Sequence, residues 1–468
     1  MTKIEPGISG PAKERKRKRD RRAAAGAVVL LAAAGTAAFL YLSRSTPPAA
    51  PCPACVSWGQ NFHPATPAIA AVESKIATEN GIVAKSRKPF VTIALLIPLT
   101  YNTSSDVTPD RMADQLRAAY LAQLAMNGSR GEVAVRLLLA DEGTSAEETA
   151  IPAATQLIYM ESSIHLVAVA GMGVSMANTQ TVAHMLGHGH HLAMFGAVAT
   201  GDDLNAGKYE GYDQVVPNTK AQVGQLGKTL TAATHGVLVY SQQATDVYTA
   251  NLKADMMSTF RPILSPLAQG FTPGVDTDPD FQQIADETCY TSHPPYLFFA
   301  GRAVILKSLI QQFQLDSNCA NKKIVIVTGA DGDGLPLGDT LPSPSGVSVS
   351  VIYTNDFDVH SLTAAFTKAY EGSFRSSDPG LKGLTDTWTI GTYNAMEAAW
   401  IAIEDAFKAT TPDAPGKANV LQESTTLNGE SSPDGATGRF SLTASGQLYQ
   451  PVVPVYEDSD GNRLILPG

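Results

Sequence analysis

From residue 89 the chain keeps one rhythm. A short, nearly unbroken apolar run is followed by a segment of helical length, then by another such run. "FVTIALLIPL" opens the series, and "VAVRLLLAD", "IHLVAVAG" and "LAMFGA" continue it. Runs that are apolar at consecutive rather than alternate positions mark strands covered on both faces. The helical segments between them are "DRMADQLRAAYLAQLAMN", "AEETAIPAATQLIYM" and a stretch beginning near Ser175. The rhythm then starts again with the strands "GVLVYS", "PYLFFAG", "KKIVIVTG" and "GVSVSVIYT", among the helices "TDVYTANLKADMMSTF", "DPDFQQIADETC" and "RAVILKSLIQQF". Strands separated by helices of ten or more residues pair in parallel through right-handed crossovers. Two such series predict two α/β lobes. Near the end, "TDTWTIGTYNAMEAAWIAIEDAF" reads as a long helix and "GRFSLTASGQLYQPVVPVYE" as a β-hairpin with a Ser-Gly turn.

The first 60 residues are of another kind. Residues 1–22 hold nine Lys/Arg against Glu5, Glu14 and Asp20, in a chain whose net charge is −10. "AAAGAVVLLAAAGTAAFLYL", Ala23 to Leu42, follows without a charge. Twenty helical residues span about 30 Å, the thickness of the hydrocarbon layer. The basic residues keep the N-terminus cytoplasmic, so the expectation is a single-pass membrane protein with everything after Ser43 outside. A cleaved signal peptide is the rival reading. A nucleic-acid role for the basic tail is disfavoured by its position before the apolar run. Residues 44–88 read as a Pro/Ala/Ser-rich stalk and a lead-in helix. The four cysteines, Cys52, Cys55, Cys289 and Cys319, then lie in an oxidising compartment, where disulfides form. The Cys52–Cys55 pair closing on itself, binding metal or acting in redox chemistry stay open alternatives, and a bridge between Cys289 and Cys319 is expected.

In open parallel sheets, ligands sit where strands end and helices begin. "AVAGMGVSMANTQ" leaves its strand through glycines and enters a helix at Ser175, whose N-terminal N–H groups and hydroxyl suit a carboxylate. "FGAVATGDDLN" leaves the next strand with Thr200, and "VTGADGDG" ends its strand with Asp331 and Asp333 among glycines. Each has a plainer reading: Ser175 as a helix cap, the aspartates as an acidic turn.

Taken in order, "LLLADEG", "AVAGMGVSMANTQTVAHML", "FGAVATGDDL", "VLVYSQQATDVYTANL", "VTGADG" and "GTYNAMEAAWIAI" resemble the type I periplasmic solute-binding proteins, and among them the branched-chain amino-acid-binding proteins of ABC transporters. The resemblance covers about residues 89–460. It implies two Rossmann-like lobes joined by a three-crossing hinge, with an amino acid held between them. Lobe one would be 89–218 plus 354–436, and lobe two 219–353 plus 437–468. Carried over by position, Ser175 and Ala177 take the ligand carboxylate. Val198 and Thr200 help hold the ammonium and carboxylate, Tyr248 comes from the second lobe, and Asp331 faces the ammonium. Tyr101 and Arg302 lie in loops that face the cleft. The chain departs from the family at Gly196-Ala197, where Ser-Pro is usual, and at Tyr248-Thr249, where Tyr-Gly is usual.

Four histidines, His184, His188, His190 and His191, crowd "HMLGHGHH". Gly187 and Gly189 supply a helix stop there, at the strand end opposite the ligand edge. This disfavours a metal site, although a His/Cys metal-binding surface protein remains an alternative class. No G-x-S-x-G, H-E-x-x-H, Walker or dinucleotide pattern follows a strand, so no enzyme and no cofactor is expected. The expected function is capture of a small zwitterion for an ABC permease. The alternative is a sensor ectodomain that signals through a partner.

Overall fold

Each apolar run becomes a strand because both of its faces find a core. In β2 (Phe90–Ile97), Val91, Ile93, Leu95 and Ile97 enter one apolar cluster while Ala94 and Leu96 enter another on the opposite face. β10 (Lys323–Val327) divides in the same way, with Ile324 and Ile326 on one side and Val325 and Val327 on the other. Such strands have no wet face, so their sequences do not alternate. The structure is a computed structural model. It describes residues 53–466 apart from 61, 63–65, 103–104, 131, 232–234, 267, 275–276, 291–295, 335–345 and 459. The apolar run Ala23–Leu42 and Cys52 lie outside the described residues. Among the described residues no helix is long and apolar enough to cross a membrane.

The first sheet has the order β1-β3-β2-β4-β5-β6, with β1 Val56–Ser57, β3 Ala134–Asp141, β4 Leu166–Gly171, β5 Ala193–Gly196 and β6 Tyr212–Gln214. β2 to β6 pair in parallel, and β1 adds an antiparallel edge. Helices α1 (Pro67–Lys85), α2 (Pro109–Ala125), α3 (Ala150–Met160) and α4 (Ala177–Gly187) connect and cover these strands. The second sheet contains β7 (Gly236–Ser241), β8 (Gln269–Phe271), β9 (Tyr296–Ala300), β10 and β11 (Ser348–Asn355), all parallel. β14 (Val453–Glu457) and β15 (Arg463–Ile465) close it in antiparallel pairing. Its helices are α5 (Thr219–Thr229), α6 (Val247–Thr259), α7 (Thr277–Tyr290) and α8 (Ala303–Leu315). Cys289, in the last turn of α7, is disulfide-bonded to Cys319, just past α8. Cys55 is oxidised as well.

After β11 the chain returns to the first lobe through α9 (Ala364–Phe374), the long α10 (Thr387–Thr410) and α11 (Lys417–Ser424). Trp400 of α10 is 1% exposed in the first-lobe core. The expected C-terminal hairpin forms only around its Ser-Gly turn, where the Thr443 and Tyr449 N–H groups donate to the Gln447 and Ser441 carbonyls. Leu442 and Leu448 bridge in antiparallel pairing there, and a separate short pair, β12 (Asp434–Gly435) with β13 (Gly438–Arg439), precedes it. β14 leaves to pair with β11 instead. The last crossing therefore falls after residue 448, later than the expected 437. Phe440 and Leu442 need burial, and the first-lobe core supplies it, while the Leu442 N–H donates to the Leu427 carbonyl. Gln447 bridges to Gln214 of β6, which holds this segment to the first sheet.

The histidine segment terminates α4. His188 caps the helix with its N–H on the His184 carbonyl, and Gly189 takes a left-handed φ of 91°. His190 and His191 lie beside Glu161 and Glu210 respectively.

Candidate functional site

β4 ends in three consecutive left-handed residues, Gly171 (φ 94°), Met172 (58°) and Gly173 (58°), which turn the chain sharply into α4. A Cβ at Gly173 would meet the carboxylates of Glu142 and Glu147, so a side chain there would have to displace them. Glu147 itself accepts the Val174 N–H at 2.8 Å and the Thr179 hydroxyl, so it fixes both sides of the turn that presents Ser175. Ser175 is 2% exposed, and its Oγ accepts the Gly201 N–H at 2.9 Å. A hydroxyl that accepts in this way keeps its own proton to donate.

A small cavity of about 30 Å³ lies at this edge. Val174, Ser175, Val198, Thr200 and Trp388 from the first lobe line it together with Tyr248, Arg302 and Asp331 from the second. Asp356, at the end of β11, completes the wall. Six of the eight residues expected from sequence thus meet at one place. Two do not. Ala177 is turned to other use: its N–H donates to the Thr245 carbonyl of the opposite lobe at 2.9 Å, so it is not free for a carboxylate. Tyr101 is 44% exposed and lies outside the cavity wall.

The two lobes are stitched together beside the cavity. Met176 and Asp246 form an antiparallel bridge, and the Tyr248 N–H donates to the Ser175 carbonyl at 3.2 Å. Asp246 caps α6 by accepting the Thr249 N–H, and it also takes Arg302 in a two-pronged contact, 2.8 Å from Nε and 2.9 Å from Nη2. The Arg302 guanidinium carbon stands 4.8 Å from the Tyr248 ring centroid. Burial opposes its charge, but Asp246 and then Asp331 outweigh that and hold it protonated. Tyr248 accepts the Asp331 N–H at 3.3 Å, and burial pushes its phenol well above the usual range. Burial foremost, then Asp333, raises Asp356 to about 8, so it is largely neutral at pH 7. Its Oδ1 accepts from Gln222 of α5 at 2.9 Å.

About 30 Å³ holds one or two waters, not an amino acid. A second chamber of about 580 Å³ shares Asp331 with the small cavity. It runs between the N-terminal turns of α2 and α8, past Asp106, Arg111, Asp114 and Lys307. A small solute needs a volume on this order. Sequence reading missed Asp106, Asp246, Asp356 and Trp388. Asp246 carries a visible signal as a helix cap, but its bond to Arg302 spans 56 positions and has none. Among the described residues, only Cys289, Asp316 and Cys319 group in the manner of metal ligands, and the two cysteines are joined in the disulfide.

No family model matches the chain, and no curated protein does. Solved structures do. The leucine-binding protein LivK of Thermotoga maritima is 17% identical with a TM-score of 0.61, covering 81% of this chain and 98% of its own. LivJ of Streptococcus pneumoniae, solved with isoleucine, is 13% identical with a TM-score of 0.59, covering 81% and 99%. A solute-binding protein of an ABC transporter from Rhodopseudomonas palustris, solved with 3,4-dihydroxybenzoic acid, is 14% identical with a TM-score of 0.58, covering 81% and 95%. With two mostly parallel sheets, helices on both faces and these likenesses over four-fifths of its length, the chain has the two-lobed type I periplasmic binding fold.

Proposed function

We propose that the chain is an extracytoplasmic solute-binding protein that takes a small amino-acid-like ligand between its lobes and serves an ABC-type transporter. One observation carries this reading: Ser175 and Thr200 at the strand ends of one sheet face Tyr248 and Asp331 of the other across a shared cavity. Hydroxyl donors on one wall and a carboxylate on the other are complementary to a zwitterion. The head group would sit between Ser175 and Asp331, and the remainder would extend into the larger chamber. The neighbouring structures with isoleucine and with an aromatic acid support a small solute in this fold. The stitched contacts at Met176 and Asp246 would open to admit it, by the hinge motion that such folds use. The basic residues before Ala23–Leu42 support anchorage in the cell membrane with the binding unit outside. That same anchor favours a second reading, a sensor ectodomain that reports occupancy to a membrane partner.

Titration calorimetry of the full-length chain against a panel of amino acids tests the proposal. Ser175→Ala and Asp331→Ala should each weaken the bound amino acid at least tenfold, since removing one partner of a buried charged hydrogen bond costs about 2–5 kcal/mol. If both variants bind as tightly as the parent, the site is elsewhere.

A further inference from the structure

We propose that the larger chamber selects a solute bearing a cationic amine, with Asp106 as its counter-ion. This rests on the function proposed above and narrows its ligand. The chamber walls carry seven aspartates, of which most are already matched. Asp386 faces Arg111 at 3.8 Å, and Asp333 faces Arg463 at 3.2 Å. Asp378 accepts the N–H groups of Lys382 and Gly383 and the Tyr370 hydroxyl. Asp114 is 5% exposed and gives one oxygen to Arg117 at 2.5 Å; its other oxygen has no partner among the described residues. Asp110 stands in the exposed first turn of α2, where water and the helix dipole satisfy a carboxylate.

Asp106 is different. Its backbone N–H donates to Ser145 Oγ at 3.0 Å, but its carboxylate receives no hydrogen bond or ion pair among the described residues. Asp331, shared by both cavities, receives a single N–H, from Ala303 at 3.1 Å. Arg302 acts on both, yet Asp246 already holds it through two nitrogens. Three carboxylates therefore surround one guanidinium. Lys307 and Lys382 also line the chamber, but both are exposed at its mouth, where water screens them. Burial, opposed by Arg302 and more weakly by Arg111 and reinforced by Asp331 and Asp246, lifts Asp106 to about 6. Asp106 is half-buried, so its carboxylate is only partly hydrated and gains from a cationic partner. An ammonium group entering the chamber supplies that pairing, joins the unused oxygen of Asp114, and leaves the zwitterionic head at Ser175 and Asp331. An anionic side chain would meet three aspartates instead.

Lysine and norleucine differ by the terminal amine, so calorimetry of the full-length chain with each reads this inference directly, and putrescine serves as an amine without a carboxylate. Lysine is expected to bind at least tenfold tighter than norleucine, with the gap narrowing as salt rises. Asp106→Asn should bring lysine down to the level of norleucine. Equal binding of lysine and norleucine by the parent chain would overturn the amine inference and leave the amino-acid reading standing. Binding of putrescine alone would uphold the amine and overturn the amino-acid head group. Binding of none of the three would overturn both.

Discussion

Asp246→Ala is expected to destabilise the chain by about 3–5 kcal/mol in equilibrium chemical denaturation. Breaking a buried ion pair by removing one partner leaves an uncompensated charge, and that residual charge is the source of the cost. Here the stranded group would be Arg302, which is 8% exposed and has Asp246 as its two-pronged partner. The same change removes the cap of α6, for about 1 kcal/mol more. Asp331 and Asp106 would compensate part of the charge at longer range. Removing both charges in Asp246→Ala/Arg302→Met should therefore cost less than Asp246→Ala alone, because no bare charge remains. A double variant as unstable as the sum of the two single ones would show that the pair is not coupled. The bond also has a functional side: it lies beside the Met176–Asp246 bridge, so its loss should favour opening of the cleft.

Stability should fall as pH rises from about 5.5 to 8.5, by several kcal/mol. The cause is a set of buried acids. Burial raises Glu147 to about 7 and Asp213 and Asp356 to about 8, and it raises Glu142, followed by repulsion from Glu147 and Asp141. The folded chain thus holds protons that the unfolded chain releases near pH 4. Stability from each group is complete below that value and is lost as pH rises through its folded pKa. A shift of one unit is worth at most about 1.4 kcal/mol. Glu142 is the sharpest case: it is fully buried, and neither carboxylate oxygen has a hydrogen-bond partner among the described residues. Glu142→Gln keeps the shape without the charge, so it should raise stability at pH 8.5 and flatten the profile. Denaturation midpoints at four pH values read both effects. A profile that rises toward pH 8.5 would contradict the assignment of these groups as protonated in the folded state. Because Glu147 holds the Ser175 turn through Val174 and Thr179, ligand affinity should follow the same protonation.

The strands were legible because burial on both faces writes itself into consecutive residues, as in "FVTIALLI" and "KIVIV". The helices "TDVYTANLKADMMSTF" and "TDTWTIGTYNAMEAAWIAIEDAF" were legible as segments, and the structure adds Asp246 and Asp386 as the caps of α6 and α10. Position at a strand end was enough to bring Ser175, Thr200 and Asp331 to one cavity, and the family resemblance added Tyr248. It was not enough for Ala177, whose N–H is claimed by a carbonyl of the other lobe, since no pattern along one strand reports what the opposite lobe offers. Tyr101 failed for a similar reason: its loop follows β2, but the side chain stays 44% exposed. The C-terminal hairpin was legible at its turn, where "LTASGQL" carries a true signal, but not in the length of its arms. Partner choice was decided by β11 and by the burial of Phe440 and Leu442, which are tertiary facts. The larger chamber had no signature at all, because its walls come from α2, α8 and the segment before α10, which are far apart in sequence.

Trp388 stands in the first turn of α10 on the cavity wall, within the rim where a solute would enter. Its emission therefore reports directly on occupancy between the lobes. Titrating the full-length chain with the amino acid that binds best should give a saturable fluorescence change, and Trp388→Phe should abolish that change while Trp58 and Trp400 remain. A saturable change that survives intact in Trp388→Phe would place the solute away from the cleft and contradict the account.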